Sequence, residues 1–423
     1  MTILVKRDCF EELANHLKKP EIGVIVGPRQ AGKTTLLKQL GDFLQEKGTP
    51  RENIYFFNLD VISDRETFKS QQEFILFLRS RLKKDSQLYI FVDEAQRIKN
   101  PGIFFKGIYD LGLPAKFILT GSSALEIKAN IHEALTGRKR VFHLQPFNFN
   151  EFLRSKKSGL EKIIGRRLSE TDKNRLLEIL REYLVFGGYP KVALESNHEE
   201  KKKLLEELYS SYLEKDIVGF LRIKSPLVFS KLTGLLASQI GQLVNISEIG
   251  QMLGLDIKTL NTYLHYLEET FIVNLARPFY KNYRKEITKM PKVYFADLGL
   301  RNFALSRFKP YDGRDDQGSL LENFVFNELC GLGFHVNYWR TKSKAEVDFV
   351  IQTSEGQTVP LEAKAAALKT PYLSRSFRSF LAQYLPKKGY LVNLGLQKTV
   401  KADGCQVKYI LPFDLPKLLL RDA

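Results

Sequence analysis

The sequence predicts an α/β protein whose first third is built on a parallel sheet covered by helices on both faces. Three observations carry this expectation. Short apolar, β-rich runs alternate with helical patterns between residues 21 and 150. The first run leads directly into a glycine-containing loop and a helix, and the third ends in two carboxylates. Strands that alternate with helices are joined by crossovers, which gives a parallel sheet buried on both sides. The expected strands are Ile22–Val26, Ile54–Asp60, Leu88–Asp93 and Lys116–Thr120, with helices over Thr34–Leu44 and Gln72–Leu82.

A chain of 423 residues, 43% apolar and 27% charged, has room for several cores; about 100–200 residues per domain gives two to four of them. No apolar run approaches the roughly 18–20 residues of a membrane-spanning helix. Lys6, Arg7 and Asp8 stand where a signal peptide needs an apolar stretch. Cys9, Cys330 and Cys405 are odd in number and far apart, which signals neither a disulfide framework nor a zinc site. The six histidines have no metal-ligand spacing. Membrane and secreted classes are thereby set aside, and a cytoplasmic protein is expected. The net charge of +17 is spread over the whole chain rather than stacked in a tail. It suits a nucleic-acid partner and plain solubility alike.

Gly27-Pro28-Arg29-Gln30-Ala31-Gly32-Lys33-Thr34, followed by Thr35, fits G-x-x-x-x-G-K-[ST] in full. The pattern has a physical reason. Glycines let the backbone curl so that successive N–H groups face phosphates, and the following helix adds the positive end of its dipole. Lys33 is placed to reach the β- and γ-phosphates of ATP, and the Thr34 hydroxyl to ligate Mg²⁺. The strand Leu88-Tyr89-Ile90-Phe91-Val92 ends in Asp93 and Glu94. Asp93 suits a Mg²⁺ partner and Glu94 a general base toward water. Thr120-Gly121-Ser122-Ser123 closes the next strand, and Ser122 is the candidate polar residue near the γ-phosphate.

With these elements the chain resembles the AAA+ ATPases. More narrowly it is similar to a bacterial and archaeal family of such ATPases that carry a C-terminal nuclease-like domain. The resemblance rests on Gly27–Thr35, Asp93–Gln96, Thr120–Ser123, Leu135-Thr136-Gly137-Arg138, Leu144–Phe152, Phe186–Pro190 and Glu346–Phe349. It implies an AAA+ P-loop core over 1–150, a helical lid over 151–231, a winged-helix region over 232–311 and a nuclease-like domain over 312–423. It also implies a homo-oligomeric ring in which Arg138 is the candidate arginine finger completing a neighbour's site. A surface arginine beside Lys139 and Arg140 is the plainer reading of Arg138.

Ile246–Leu255 reads as a short helix closed by a glycine turn, and Asp256–Glu269 as a second helix with Asp256 as its cap. Leu260, Leu264 and Leu267 make the apolar stripe, while Lys258, Thr259, Asn261 and Thr262 occupy other faces. That is a helix-turn-helix pattern. Six cations follow, Arg277, Lys281, Arg284, Lys285, Lys289 and Lys292, with aromatic residues between them and Glu286 as the one acid. This run resembles a winged-helix wing. DNA contact by Lys258, Thr259, Asn261, Thr262, Lys281, Arg284 and Lys285 is the sharper reading, and a packing module the blander one.

In the last segment, Glu346-Val347-Asp348-Phe349-Val350-Ile351 and Val359-Pro360-Leu361-Glu362-Ala363-Lys364 flank a turn at Ser354-Glu355-Gly356. A hairpin here brings Asp348 close to Glu362 and puts Glu362 and Lys364 on one face. The pattern resembles the PD-(D/E)xK nuclease core, within an α/β restriction-endonuclease-like fold. The resemblance implies that Asp348 and Glu362 hold a second divalent metal, that Glu322 is the upstream acid, and that Lys364 acts on the attacking water. Pro360 predicts an edge strand or a bulge. Catalysis and a non-catalytic platform both remain open. Two functions follow: a Mg²⁺- and ATP-dependent ATPase acting on DNA, or an ATP-dependent switch acting on a protein partner.

Overall fold

The structure, a computed structural model, describes residues 4–121, 134–166, 168–212, 225–279 and 289–422. The chain divides into two compact units, one of residues 4–146 with 269–271, the other of 147–268 with 272–422. The segments expected as lid, winged helix and nuclease-like domain lie, apart from 269–271, in the second unit.

In the first unit, β1 (Ile22–Val26), β2 (Ile54–Asn58), β3 (Leu88–Asp93), β4 (Ala115–Gly121) and β5 (Lys139–His143) form a sheet in the order β2-β3-β4-β1-β5. Every pairing is parallel. All five residues of β1 are buried, as befits an inner strand with both faces covered. Its side chains alternate between two cores. Ile22, Val24 and Val26 join one with Phe74, Leu78 and Phe105. Ile25 joins the other with Leu36, Leu37 and Leu40 from the helix Lys33–Glu46. Strand β5 was not among the expected strands. Its sequence, Lys-Arg-Val-Phe-His, is polar because it is an edge strand, with Phe142 its one buried side chain.

The second unit carries a mixed sheet in the order β12-β13-β11-β10-β9-β8-β6-β7. Its strands are β6 (Val273–Pro278), β7 (Lys292–Phe295), β8 (Asn337–Arg340), β9 (Glu346–Gln352), β10 (Thr358–Lys364), β11 (Lys388–Asn393), β12 (Lys398–Ala402) and β13 (Cys405–Ile410). The wing-like strands β6 and β7 thus extend the C-terminal sheet, through the β6–β8 pairing. The expected hairpin is present: β9 and β10 pair antiparallel around a turn with Gly356 at φ +75°. Strand β10 is an inner strand, between β9 and β11, which corrects the edge or bulge expected from Pro360. Pro360 faces Val350 on β9, and the ladder to β11 begins one residue later at Leu361. The lone Trp339 packs edge-on to Phe380 with ring centres 5.3 Å apart, a core role.

The Gly187-Gly188 turn is held by a buried acid. Asp297 Oδ2 accepts the Gly188 N–H at 2.7 Å, and Oδ1 accepts the Leu300 N–H at 3.0 Å. A Cβ on Gly187 would lie 2.3 Å from Asp297 Oδ1, and one on Gly188 would lie 2.1 Å from the Phe147 carbonyl oxygen. Only glycine fits at either place. Burial pushes the Asp297 carboxyl up to about 6 against the backbone N–H donors that hold it down.

Candidate functional site

Because β1, β3 and β4 run parallel, their carboxyl ends share one edge of the sheet, where ligands bind in open α/β folds. The glycine-containing loop leaves β1 at that edge. A Cβ on Gly27 would lie 2.0 Å from the Leu144 carbonyl oxygen, so the loop starts against backbone with no room for a side chain. Gln30 at φ +58° and Gly32 at φ +99° supply the left-handed steps of the curl. Lys33 opens the helix and is 6% exposed. Its ammonium donates to the carbonyls of Gly27 at 2.8 Å and Pro28 at 2.9 Å. Arg7, which the sequence reading passed over, donates to Ala31 O at 2.7 Å and to Gln145 O at 2.6 Å. It ties the loop to the chain leaving β5.

Two strand ends and the first turn of the helix Lys33–Glu46 meet at Asp93. The Thr34 hydroxyl donates to Asp93 Oδ2 at 2.5 Å, and the Thr120 hydroxyl donates to Asp93 Oδ1. Thr120 Oγ1 also accepts the Glu94 N–H at 3.2 Å. Glu94 itself sits at φ +56°, a left-handed conformation that a non-glycine residue adopts at a cost. Gln96 donates to its carboxylate. The hydroxyl and carboxylate pair of Thr34 and Asp93 is a donor set of the hard-oxygen kind that Mg²⁺ takes, and the curled loop beside it fits phosphates. Ser122 lies outside the described residues. Thr120, fully buried on the adjacent strand end, is the hydroxyl that the structure brings to Asp93. It was legible as part of Thr-Gly-Ser-Ser, but nothing in that run ranked it above Ser122.

Arg138 lies at the opposite edge. Its carbonyl accepts the Ile22 N–H at 2.8 Å, at the start of β1, so the length of a strand, about 16 Å, separates it from its own loop. Its guanidinium pairs with Asp110 at 2.7 Å on the surface.

In the second unit, Asp348 and Glu362 follow the last β9–β10 pair, Phe349 with Leu361, as the next facing positions. Asp348 Oδ2 accepts the Ala363 N–H at 2.8 Å. Glu362 pairs with Lys364 at 2.9 Å and accepts from the Ser374 hydroxyl at 3.2 Å. Glu322, on the helix Gln317–Gly331, accepts from the Tyr294 hydroxyl at 2.7 Å. The surprise is Lys292. Expected among the wing-like cations, it is 2% exposed and pairs with Glu322 at 3.1 Å and Glu346 at 2.6 Å. Burial pushes the Glu322 carboxyl up to about 7, with Asp348 adding to the shift and Lys292 opposing it. Burial alone would lower the Lys292 ammonium, but Glu322, Asp348 and Glu346 outweigh it and raise it.

The helix-turn-helix pattern folds as two helices, Ile246–Leu253 and Ile257–Glu269, around Gly254 at φ +64°. Asp256 caps the second, accepting the Thr259 N–H at 2.9 Å and its hydroxyl at 2.6 Å. Thr259 is therefore engaged in the cap. Lys258 and Asn261 are exposed, and Thr262 Oγ1 donates to the Lys258 carbonyl at 2.9 Å. Ile257, Lys258, Asn261, Thr262, His265 and Tyr266 line a shallow, open surface on this face. Lys281, Arg284 and Lys285 lie outside the described residues.

Residues 19–153 match the family model described as AAA domain. Residues 177–311 and 317–414 match two models described as domains of unknown function, DUF8612 and DUF4143. An uncharacterized protein of Haemophilus influenzae is 26% identical over 360 residues, covering 84% of this chain and 85% of that one. An uncharacterized protein of Methanocaldococcus jannaschii is 29% identical over 343 residues, covering 78% and 72%. Against the solved Aeropyrum pernix ORC1 protein in complex with DNA the TM-score is 0.32 at 14% identity, covering 72% of this chain and 93% of that chain. The first match spans β1 to β5 with the loop, so this part of the chain is similar to the AAA domain family, in keeping with an ATP-binding P-loop fold. Among the described residues no helix is long and apolar enough to cross a membrane.

Proposed function

We propose that the chain is an ATPase that couples hydrolysis to action on DNA. The observation that carries the ATPase part is the convergence of Thr34 and Thr120 on the two oxygens of Asp93, at the mouth of the phosphate loop. Thr34 and Asp93 would hold Mg²⁺, which when bound neutralises charge on the β- and γ-phosphates. Lys33, now donating to loop carbonyls, turns its ammonium to the phosphate oxygens instead. Glu94 takes the proton of the attacking water. Thr120 fixes the backbone of Glu94 and the rotamer of Asp93 together, so base and metal ligand keep one geometry. In a homo-oligomer, Arg138 would serve a neighbour's site, since a strand length separates it from its own.

The DNA part rests on the exposed face of the helix Ile257–Glu269. Lys258 would grip a phosphate and Asn261 a base edge, while Thr259 acts through the cap. Lys281, Arg284 and Lys285 would add phosphate contacts. Binding of labelled duplex measured against salt tests this: Lys258→Ala should weaken it and flatten its salt slope, and an unchanged slope counts against the reading.

A second reading, an ATP-dependent switch on a protein partner with a non-catalytic C-terminal platform, draws support from the lysine pairing of the carboxylate cluster.

A further inference from the structure

We infer that Lys292 Nζ is the resident cation of the carboxylate cluster formed by Glu322, Glu346, Asp348 and Glu362, and that it excludes a divalent metal ion from it. The residue pattern predicts metal ligands here, and the geometry disagrees. Lys292 enters from β7, a strand outside the hairpin that suggested the site, and its ammonium lies 3.1 Å from Glu322 Oε1 and 2.6 Å from Glu346 Oε1. The same Glu322 oxygen already accepts from Tyr294 at 2.7 Å.

Four more of the cluster's eight oxygens are also engaged. Asp348 Oδ2 is taken by the Ala363 N–H at 2.8 Å, and Glu346 Oε2 by Arg340 at 2.9 Å. Both Glu362 oxygens accept from Ser374, and Oε1 also meets Lys364 at 2.9 Å. Among the described residues no three His, Cys, Asp or Glu side chains are grouped so as to hold a metal ion. Charge makes the same point. Lys292 and Arg340 answer Glu322 and Glu346, in addition to the Lys364–Glu362 pair that the nuclease pattern itself contains. A divalent ion must evict Lys292, whose side chain is 2% exposed. A buried ammonium stripped of its carboxylates is far costlier than a surface one.

The cluster therefore ties the helix Gln317–Gly331 to β7 and β9 as an internal salt-bridge network, in a nuclease-like arrangement that lacks the metal chemistry of phosphodiester cleavage.

Mn²⁺ binding to the full chain, followed by the electron paramagnetic resonance of free Mn²⁺ without nucleotide or DNA, tests this independently of the ATPase reading. Lys33→Ala is used as background in every sample to silence the phosphate loop. That background chain should show no Mn²⁺ site that Glu322→Gln or Asp348→Asn removes. Adding Lys292→Met should create one site per chain, with affinity at least tenfold above background, and adding Glu322→Gln to it should abolish that site. A Mn²⁺ site in the background chain that Glu322→Gln or Asp348→Asn removes would overturn the inference. So would a folded Lys292→Met chain, its near-ultraviolet circular dichroism unchanged, that takes no Mn²⁺. If Lys292→Met does not fold, the first comparison alone decides.

Discussion

The Thr34 hydroxyl donates to Asp93 Oδ2 at 2.5 Å, joining two segments that lie 59 residues apart. The contact is what a Mg²⁺ ion would separate and use, because both atoms are hard oxygen donors beside the phosphate loop, one in the first turn of the following helix and one at the end of β3. Thr120 holds the other oxygen of Asp93, so the carboxylate has one orientation before nucleotide arrives.

Asp93→Asn and Thr34→Ala should each lower the ATPase turnover by roughly 10²–10³-fold, the usual cost of one oriented electrostatic group. Thr120→Val should fall less, by about tenfold, since it acts through Asp93 and Glu94. Steady-state phosphate release over a Mg²⁺ series checks this. Loss in Asp93→Asn that excess Mg²⁺ fully rescues would fit weaker ion binding, and equal activity in all three variants would remove Asp93 from the site.

Glu94→Gln should bind ATP with near-unchanged affinity and hydrolyse it roughly 10²–10⁴-fold more slowly, because a positioned base is lost while the loop is intact. Equilibrium binding of a fluorescent ATP analogue beside single-turnover hydrolysis separates the two effects. Full turnover in this variant would assign the base elsewhere.

Gly27→Ala should destabilise the first unit by about 1–3 kcal/mol through overpacking, since its Cβ would lie 2.0 Å from the Leu144 carbonyl oxygen. Thermal melting with and without ATP reads both the lost stability and the lost ligand protection. A variant that melts like wild type would mean the backbone yields there.

The Asp297 carboxyl, pushed up to about 6 by burial, gives a signed pH dependence. A buried acid with a raised folded-state pKa binds its proton more tightly when folded. Its contribution is full at pH values below its unfolded pKa and is lost as pH rises through about 6. The melting temperature of wild type minus that of Asp297→Asn should therefore fall between about pH 4 and pH 7. A difference that stays flat across that range would show that Asp297 keeps its ordinary pKa in the folded chain.

What the sequence makes legible is what local pattern determines. The inner strands β1 and β3 are continuous apolar runs, and the glycine-containing loop follows from spacing, so strand, loop and Asp93 could be read in order. The Asp348–Glu362 hairpin was readable for the same reason. Features that depend on partners far along the chain were not. Strand β5 is charged because it is an edge, which hides it from an apolar count. Lys292 looks like a wing cation until β7 joins the C-terminal sheet and turns it toward Glu322, 30 residues on. Asp297 drew no notice in the sequence: it caps the helix Leu298–Ala304 locally, but its grip on Gly188 spans 109 residues.

The steady-state ATPase rate with and without single-stranded, duplex and forked DNA, against Lys33→Ala as the blank, tests the central claim most directly. The account predicts a wild-type rate above the blank that rises several-fold with at least one DNA form. A rate that no DNA form changes, or one that does not exceed the blank, would contradict it.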